Sequence, residues 1–430
     1  LVANGNQLKC SKLLVIGFIF WHNGGGYISQ SNSQEVIMSN PSHRIATKQI
    51  KFPAQAGTEV RVRQTRHAFL FGCAEFSTLP YVAGEMPEAE AVAAERRYGH
   101  MAELFNQVTL PFYWGRYEPE QGKPDFTRMK KAAEWLAAKG MRLKGHPLSW
   151  HTVCAPWLLD FSNEKILQIQ LERIKRDVTA FNGLIDDWDV INEAVIMPIF
   201  DKYDNAMTRV CKERGRIKLI KELFAAAREA NPNATLLIND FDMSEAYDIL
   251  VEGVLEAGIK IDAIGLQSHM HQGCWTPEKM ADVLERFSRF GLPLHFTEVS
   301  LVSGDIMPAH IVDLNDHQVT EWPSTPESEA RQAREVAWFY DTLYNHPLVQ
   351  AITYWSFKDG LWLNAPSGLV DHDSYAKPAY TALHDRIKGS WWTPEHTQTV
   401  DADGMITVTG TKGDYLAVAD SGQEISFSIQ

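Results

Sequence analysis

The sequence predicts an α/β protein: a (β/α)8 TIM barrel with a small flanking β domain made from strands near both ends of the chain. Three observations carry this. Eight short apolar segments alternate with eight helix-like segments between Phe69 and Ile387. The apolar segments end in polar or aromatic residues rather than in turn residues. Outside that run the pattern changes to alternating strands punctuated by glycine.

Residues 1–42 read as a signal or linker region. Lys9-Cys10-Ser11-Lys12 precedes the apolar run Leu13 to Trp21, which resembles the apolar part of a secretion signal and is too short to span a bilayer as a helix. An ordinary buried strand is the competing reading of that run. The Gly/Ser/Asn-rich stretch 22–42 then reads as linker. Residues 43–66 alternate, with Ile50, Phe52, Val60 and Val62 set against Arg61 and Arg63, and predict edge strands outside the barrel.

The barrel is expected over residues 67–390. Its strands are Phe69 to Gly72, Gln107 to Phe112, Arg142 to Leu148, Asp187 to Ile191, Thr235 to Asp240, Ile261 to His269, Pro293 to Val299 and Val349 to Trp355. The helices between and after them are 91–105, 127–139, 163–181, 213–230, 244–257, 277–290, 327–345 and 378–388. An open doubly wound sheet would carry an early glycine-rich phosphate loop, and none is present. Residues 391–430 return to alternation, and both they and 43–66 flank a barrel whose ends lie at the surface. The expectation is that the two segments pair into one small sandwich.

Net charge is −13 with no long basic run, which argues against nucleic acid and anionic membranes as partners. The five cysteines are scattered without a CxxC, so neither a zinc site nor a disulfide framework can be argued, and free buried thiols are expected. His146, His151 and His269 fall on separate strands without an HxH pair, so no metal and no cofactor is called for.

The chemistry gathers at one end of the strands. Asp187-Trp188-Asp189-Val190-Ile191-Asn192-Glu193-Ala194 is an apolar strand closing on Asn192 and Glu193, and Pro293-Leu294-His295-Phe296-Thr297-Glu298 closes on a second Glu. A carboxyl there is costly to desolvate and suits chemistry better than stability. With His146, Trp150, Asn239, Gln267, His269 and Trp355 at the other strand ends, the ring offers hydrogen-bonding groups and flat faces around two acids. That is what a carbohydrate site requires.

Six motifs in order make the likeness specific. They are Gly145-His146-Pro147-Leu148-Ser149-Trp150-His151, Trp188-Asp189-Val190-Ile191-Asn192-Glu193-Ala194, Asn239-Asp240, Ile264-Gly265-Leu266-Gln267-Ser268-His269, Thr297-Glu298 and Lys377-Pro378-Ala379-Tyr380-Thr381-Ala382-Leu383. From about Gly72 to Ile387 the chain resembles glycoside hydrolase family 10, the xylanase family of retaining (β/α)8 glycosidases. The resemblance implies Glu193 as general acid/base and Glu298 as nucleophile. It implies that Asn192 bonds the sugar 2-hydroxyl, that His269 supports Glu298, and that His146, Trp150, Asn239, Gln267, Trp355 and Trp362 line the cleft. The implied partner is a polysaccharide or oligosaccharide, xylan first. The secretion-signal reading of residues 9–21 gives the expected location: secreted, extracellular or periplasmic.

The chain departs from the family after the second strand. The usual T-P-E-N-x-M-K-W is replaced by Thr109-Leu110-Pro111-Phe112-Tyr113-Trp114, shorter and without the Glu, Asn and Lys. Tyr113, Arg116 and Lys358 are the expected stand-ins on the substrate, while Trp114 and Glu118-Pro119 still fit the family pattern and Trp114 is expected to bind substrate as well. Val153 occupies the place of a family Gln, and the Trp355 to Trp362 spacing is shorter by one. The resemblance therefore implies endo-1,4-β-xylanase action, with exo action or another β-glycan as a variant. A carbohydrate-binding protein without turnover is the alternative from another class.

Overall fold

The computed structural model describes residues 40–430. The readings made on the basic flank and apolar run of residues 9–21 lie outside the described residues, as does Cys10.

Fifteen strands are assigned in chain order: β1 Ile45–Lys51, β2 Glu59–His67, β3 Leu70–Ala74, β4 Gln107–Pro111, β5 Arg142–His146, β6 Asp187–Asn192, β7 Thr235–Asp240, β8 Ala263–Leu266, β9 His269–Met270, β10 Leu294–Leu301, β11 Val349–Tyr354, β12 His396–Thr399, β13 Met405–Thr411, β14 Gly413–Ala419 and β15 Glu424–Ile429. Strands β3 to β8, β10 and β11 run parallel, and the β11–β3 and β10–β11 pairings close them into a barrel. Almost every residue of these strands is buried, because helices cover the outer face and side chains fill the interior. Where one strand projects a bulky group, its neighbour carries glycine. The ring of Trp188 lies where a side chain on Gly145 would stand, and the Asn239 side chain occupies that place beside Gly265. Without the second gap, Asn239 would be pushed away from the centre of the barrel.

The helices are α1 Thr78–Ala83, α2 Glu88–Leu104, α3 Trp114–Tyr117, α4 Phe126–Ala138, α5 Asn163–Ala180, α6 Ala206–Arg214, α7 Arg216–Ala230, α8 Glu245–Glu256, α9 Pro277–Ser288, α10 Pro326–Tyr344 and α11 Pro378–His384. Side chains of Ser162, Asn205, Ser244, Thr276 and Thr325 accept from backbone N–H groups in the first turns of α5, α6, α8, α9 and α10. Each such cap contributes about 1 kcal/mol. The helix expected over 213–230 is found as α7, and α6 precedes it as an unexpected helix. Gly215, at φ 82°, ends α6 and starts α7. The strand expected over 261–269 is also divided: β8 ends at Leu266, and β9 pairs separately with β10.

Outside the barrel, β1 pairs antiparallel with β13, and β12, β2, β14 and β15 form a four-stranded antiparallel sheet. Val60 and Val62 point inward with Ile406, Val408, Tyr415 and Ala417, while Arg61 and Arg63 point out. Arg44 fastens this layer to the barrel, donating to the carbonyls of Tyr344 (3.1 Å), His346 (2.9 Å) and Val349 (2.7 Å). The four described cysteines are free; Cys73 and Cys211 are buried, and Cys154 and Cys274 half-buried. Among the described residues no helix is long and apolar enough to cross a membrane.

Candidate active site

Glu193 stands one residue past the end of β6, with its backbone at φ 57°. A left-handed conformation at a residue with a side chain costs on the order of 1 kcal/mol and needs support from its surroundings. Here the Glu193 N–H donates to the Asn239 carbonyl at 2.8 Å. The carboxyl accepts from Trp150 Nε1 (2.8 Å) on one oxygen and from Asn192 Nδ2 (3.0 Å) and Gln267 Nε2 (3.2 Å) on the other. Burial nonetheless dominates. It pushes the Glu193 pKa up to about 8, with Asp240 and Glu298 adding negative potential against the hydrogen bonds.

Glu298 lies within β10 and is almost wholly buried. Burial raises its pKa here too, but the bond with His269 Nε2 (3.0 Å) and the fields of His146 and His269 outweigh it. The carboxyl is held below its ordinary value. Its other oxygen accepts from Asn239 Nδ2 at 2.9 Å, and the same amide donates to Asn192 Oδ1 at 2.7 Å. Asn192 then donates to Glu193, so two side-chain amides connect the two acids. Thr297 Oγ1 donates to Asn239 Oδ1 at 2.6 Å and fixes which way that amide faces. The result is one carboxyl that keeps its proton beside one that has lost it. Such a pair can protonate a leaving oxygen and attack the carbon it leaves.

The other strand-end residues gather around the pair. His146 Nδ1 contacts Asp189 Oδ2 at 2.7 Å, and Asp189 is held ionised by Lys144 at 2.8 Å against the effect of burial. The His146 ring meets Trp355 at 5.2 Å and Tyr113 at 5.7 Å between centroids. Trp362 packs on His269 at 4.4 Å. Tyr113 sits where Glu298 and Glu193 both act on its hydroxyl and, with burial, raise its pKa well above the usual value. Arg116 is exposed, with its guanidinium 5.9 Å from the Tyr113 ring.

Trp114 is placed elsewhere. It is 4% exposed, donates from Nε1 to Glu118 at 3.3 Å and lies under the Arg173 guanidinium at 4.8 Å. No face of it is left for a sugar, which corrects the expectation that it lines the cleft. Phe76, which no motif marked, meets Trp355 at 5.3 Å and Tyr113 at 5.8 Å. Its position just after the first barrel strand was the available signal. Across the mouth, Lys202 on the loop after Glu193 pairs with Asp313 (2.6 Å) and Asp316 (2.7 Å) on the loop after β10. Lys358 is half-buried on the loop after β11. Among the described residues no cluster of His, Cys, Asp and Glu is arranged to hold a metal.

A closed parallel barrel with two carboxyls of opposite protonation, ringed by amides and indoles at the strand ends, defines a glycosidase-type enzyme. Residues 80–386 match glycosyl hydrolase family 10, and the chain belongs to that family. It is similar to endo-1,4-β-xylanase B of Thermotoga neapolitana, 27% identical over 324 residues that cover 70% of this chain and 85% of that one. A β-1,4-xylanase of Dictyoglomus thermophilum is 27% identical over 60% of this chain and 73% of its own length. In fold the chain is similar to a family 10 structure from Paenibacillus barcinonensis (TM-score 0.61, 24% identity, 76% and 97% of the two chains). It is also similar to xylanase 10B of Thermotoga petrophila in complex with xylobiose (TM-score 0.60, 23% identity, 75% and 94%).

Proposed function

We propose that this protein is a retaining endo-1,4-β-xylanase that cleaves xylan by double displacement. Glu193 serves as general acid and then base, and Glu298 as nucleophile. The carrying observation is the divergence of the two acids, Glu193 up to about 8 and Glu298 below its ordinary value. In the first step Glu298 attacks the anomeric carbon while Glu193 gives its proton to the departing oxygen. In the second, Glu193 takes a proton from water, which displaces Glu298 and restores the β configuration. Asn192 and Asn239 hold both carboxyls, and His269 steadies Glu298. His146, Trp150, Gln267, Trp355 and Trp362 line the first subsite, with Tyr113 and Arg116 beyond it. A secreted or periplasmic location fits a polymeric substrate.

The test is a timed product profile on glucuronoarabinoxylan, linear xylan, mixed-linkage glucan and cellulose. The expected result is a ladder of short xylo-oligosaccharides, released first as β-anomers. E298Q abolishes turnover on every substrate, and E193A spares aryl glycosides whose leaving groups need no proton. Near-wild-type activity in both variants would overturn the assignment. One observation favours a second cleavage pattern: Phe76, Tyr113, Trp150 and Trp355 make an aromatic wall beside the 109–114 stretch, which lacks the family's Glu, Asn and Lys. Release of monosaccharide alone would support exo action against that wall, and silence on every glycan a binding role.

A further inference from the structure

We infer that His271 is a positioning residue for Glu298, acting through Ser300 to fix which nitrogen of His269 carries its proton. The groups lie in one line behind the site. Glu298 Oε2 meets His269 Nε2 at 3.0 Å, His269 Nδ1 meets Ser300 Oγ at 3.1 Å, and Ser300 Oγ meets His271 Nδ1 at 3.4 Å. Trp362 covers both imidazoles, at 4.4 and 4.9 Å between centroids, and Trp322 closes the outer side of His271. The Met307 N–H binds the His271 carbonyl at 2.9 Å and holds that residue in place.

The protons have one consistent arrangement. An ionised Glu298 only accepts, so His269 Nε2 carries a hydrogen and donates. The Ser300 hydroxyl has a single proton to give, either to His269 Nδ1 or to His271 Nδ1. Among the described residues His271 Nε2 has no partner, and the residue is fully buried. An orphaned N–H is rarer in protein interiors than an under-used acceptor, so the hydrogen of His271 belongs on Nδ1. Burial above all holds His271 unprotonated at ordinary pH, with a pKa lowered to about 3. His271 Nδ1–H therefore donates to Ser300, Ser300 donates to His269 Nδ1, and His269 donates to Glu298. The nucleophile receives a donor whose position the tautomer of His269 fixes. The other titratable groups acting on this line are His146, Asp189 and Tyr113 around Glu298, and His317 beyond His271.

The kinetic consequence rests on Glu298 being the nucleophile; the proton positions do not, and they are read without turnover. The experiment is imidazole nitrogen NMR of the full-length protein labelled with ¹⁵N-histidine at pH 7, with S300A and H271N assigning the signals. The expected spectrum shows His269 protonated on Nε2 and bare on Nδ1, and His271 protonated on Nδ1. A proton on His269 Nδ1, or on His271 Nε2, overturns the inference. In kinetics, H271F keeps the ring volume and removes the donor, so the acid limb of kcat/KM moves up by about one pH unit with KM little changed. H271N restores a donor in the Nδ1 position and returns the limb. Coincident profiles for H271F and H271N would overturn the positioning role. The expected spectrum in a protein inactive on every glycan would instead sink the functional reading and leave the proton assignment standing.

Discussion

Replacing Glu193 with Gln tests the burial of that acid without requiring turnover. Burial, reinforced by Asp240 and Glu298, lifts the carboxyl pKa from 4.5 to about 8. Between those values the folded chain keeps a proton that the unfolded chain has released. Stability is therefore full below pH 4.5 and declines as pH rises toward 8, by about 1.4 kcal/mol per unit. Over the whole interval this comes to about 5 kcal/mol, an upper bound because buried charges draw in water and relax their surroundings. Gln has nearly the same shape and never ionises. Its amide matches the Trp150 and Gln267 donors less well, but that mismatch is the same at every pH. Asp240, raised to about 7, titrates in both proteins. The quantity to measure is the stability gap between E193Q and wild type, by urea unfolding, at pH 9 minus the same gap at pH 5. We expect about 2–5 kcal/mol in favour of the variant at pH 9. An equal gap at both pH values would refute burial as the source of the raised pKa.

Three further outcomes are expected. W150F removes a hydrogen bond that favours the ionised form of Glu193, so the basic limb of kcat/KM on a poor leaving group moves upward by about one unit; a downward move would reverse the sign of the argument. G145A drives a methyl group into the Trp188 ring and costs about 3 kcal/mol or more, read as a fall in Tm; an unchanged Tm would mean the ring has room to turn. Deletion of residues 391–430 leaves β1 and β2 without partners and lowers stability, while the product profile holds. An altered profile would mean that the deleted strands reach substrate.

Most of the barrel is legible because each strand is a short apolar run closing on polar residues, and the helices between them carry one apolar face. What the sequence hid depends on partners distant along the chain. Trp114 stands beside the stretch expected to grip substrate, but Arg173 and Glu118 bury it, and the α5 contribution cannot be read locally. Phe76 is a lone aromatic after Glu75, and only the fold brings it to Trp355. Helix α6 was not expected, although Met207, Val210 and Cys211 give it an apolar face behind the Asn205 cap, because it is short and Gly215 separates it from α7. The final strand β15 carries Ile425, Phe427 and Ile429 in alternation, a short pattern beside the longer repeat before it. Glu193 and Glu298 were visible as acids at strand ends; their opposite protonation was not, since it arises from the burial of Glu193 and from His269 and His146 beside Glu298.

The layer that fastens β1 to β13 has a consequence for synthesis. The hydroxyls of Thr47 and Thr409 meet at 2.8 Å although 362 residues separate them. As the chain leaves the ribosome, β1 and β2 emerge before the barrel, β2 with its alternating valines, and neither has its partner strand. The whole barrel is made before β12 to β15 arrive to cover them. Throughout elongation those early edges remain open to other chains, the condition under which sheets add to the wrong neighbour. A chain lacking residues 391–430 would thus carry two unpaired strands on its barrel, a product prone to wrong pairing.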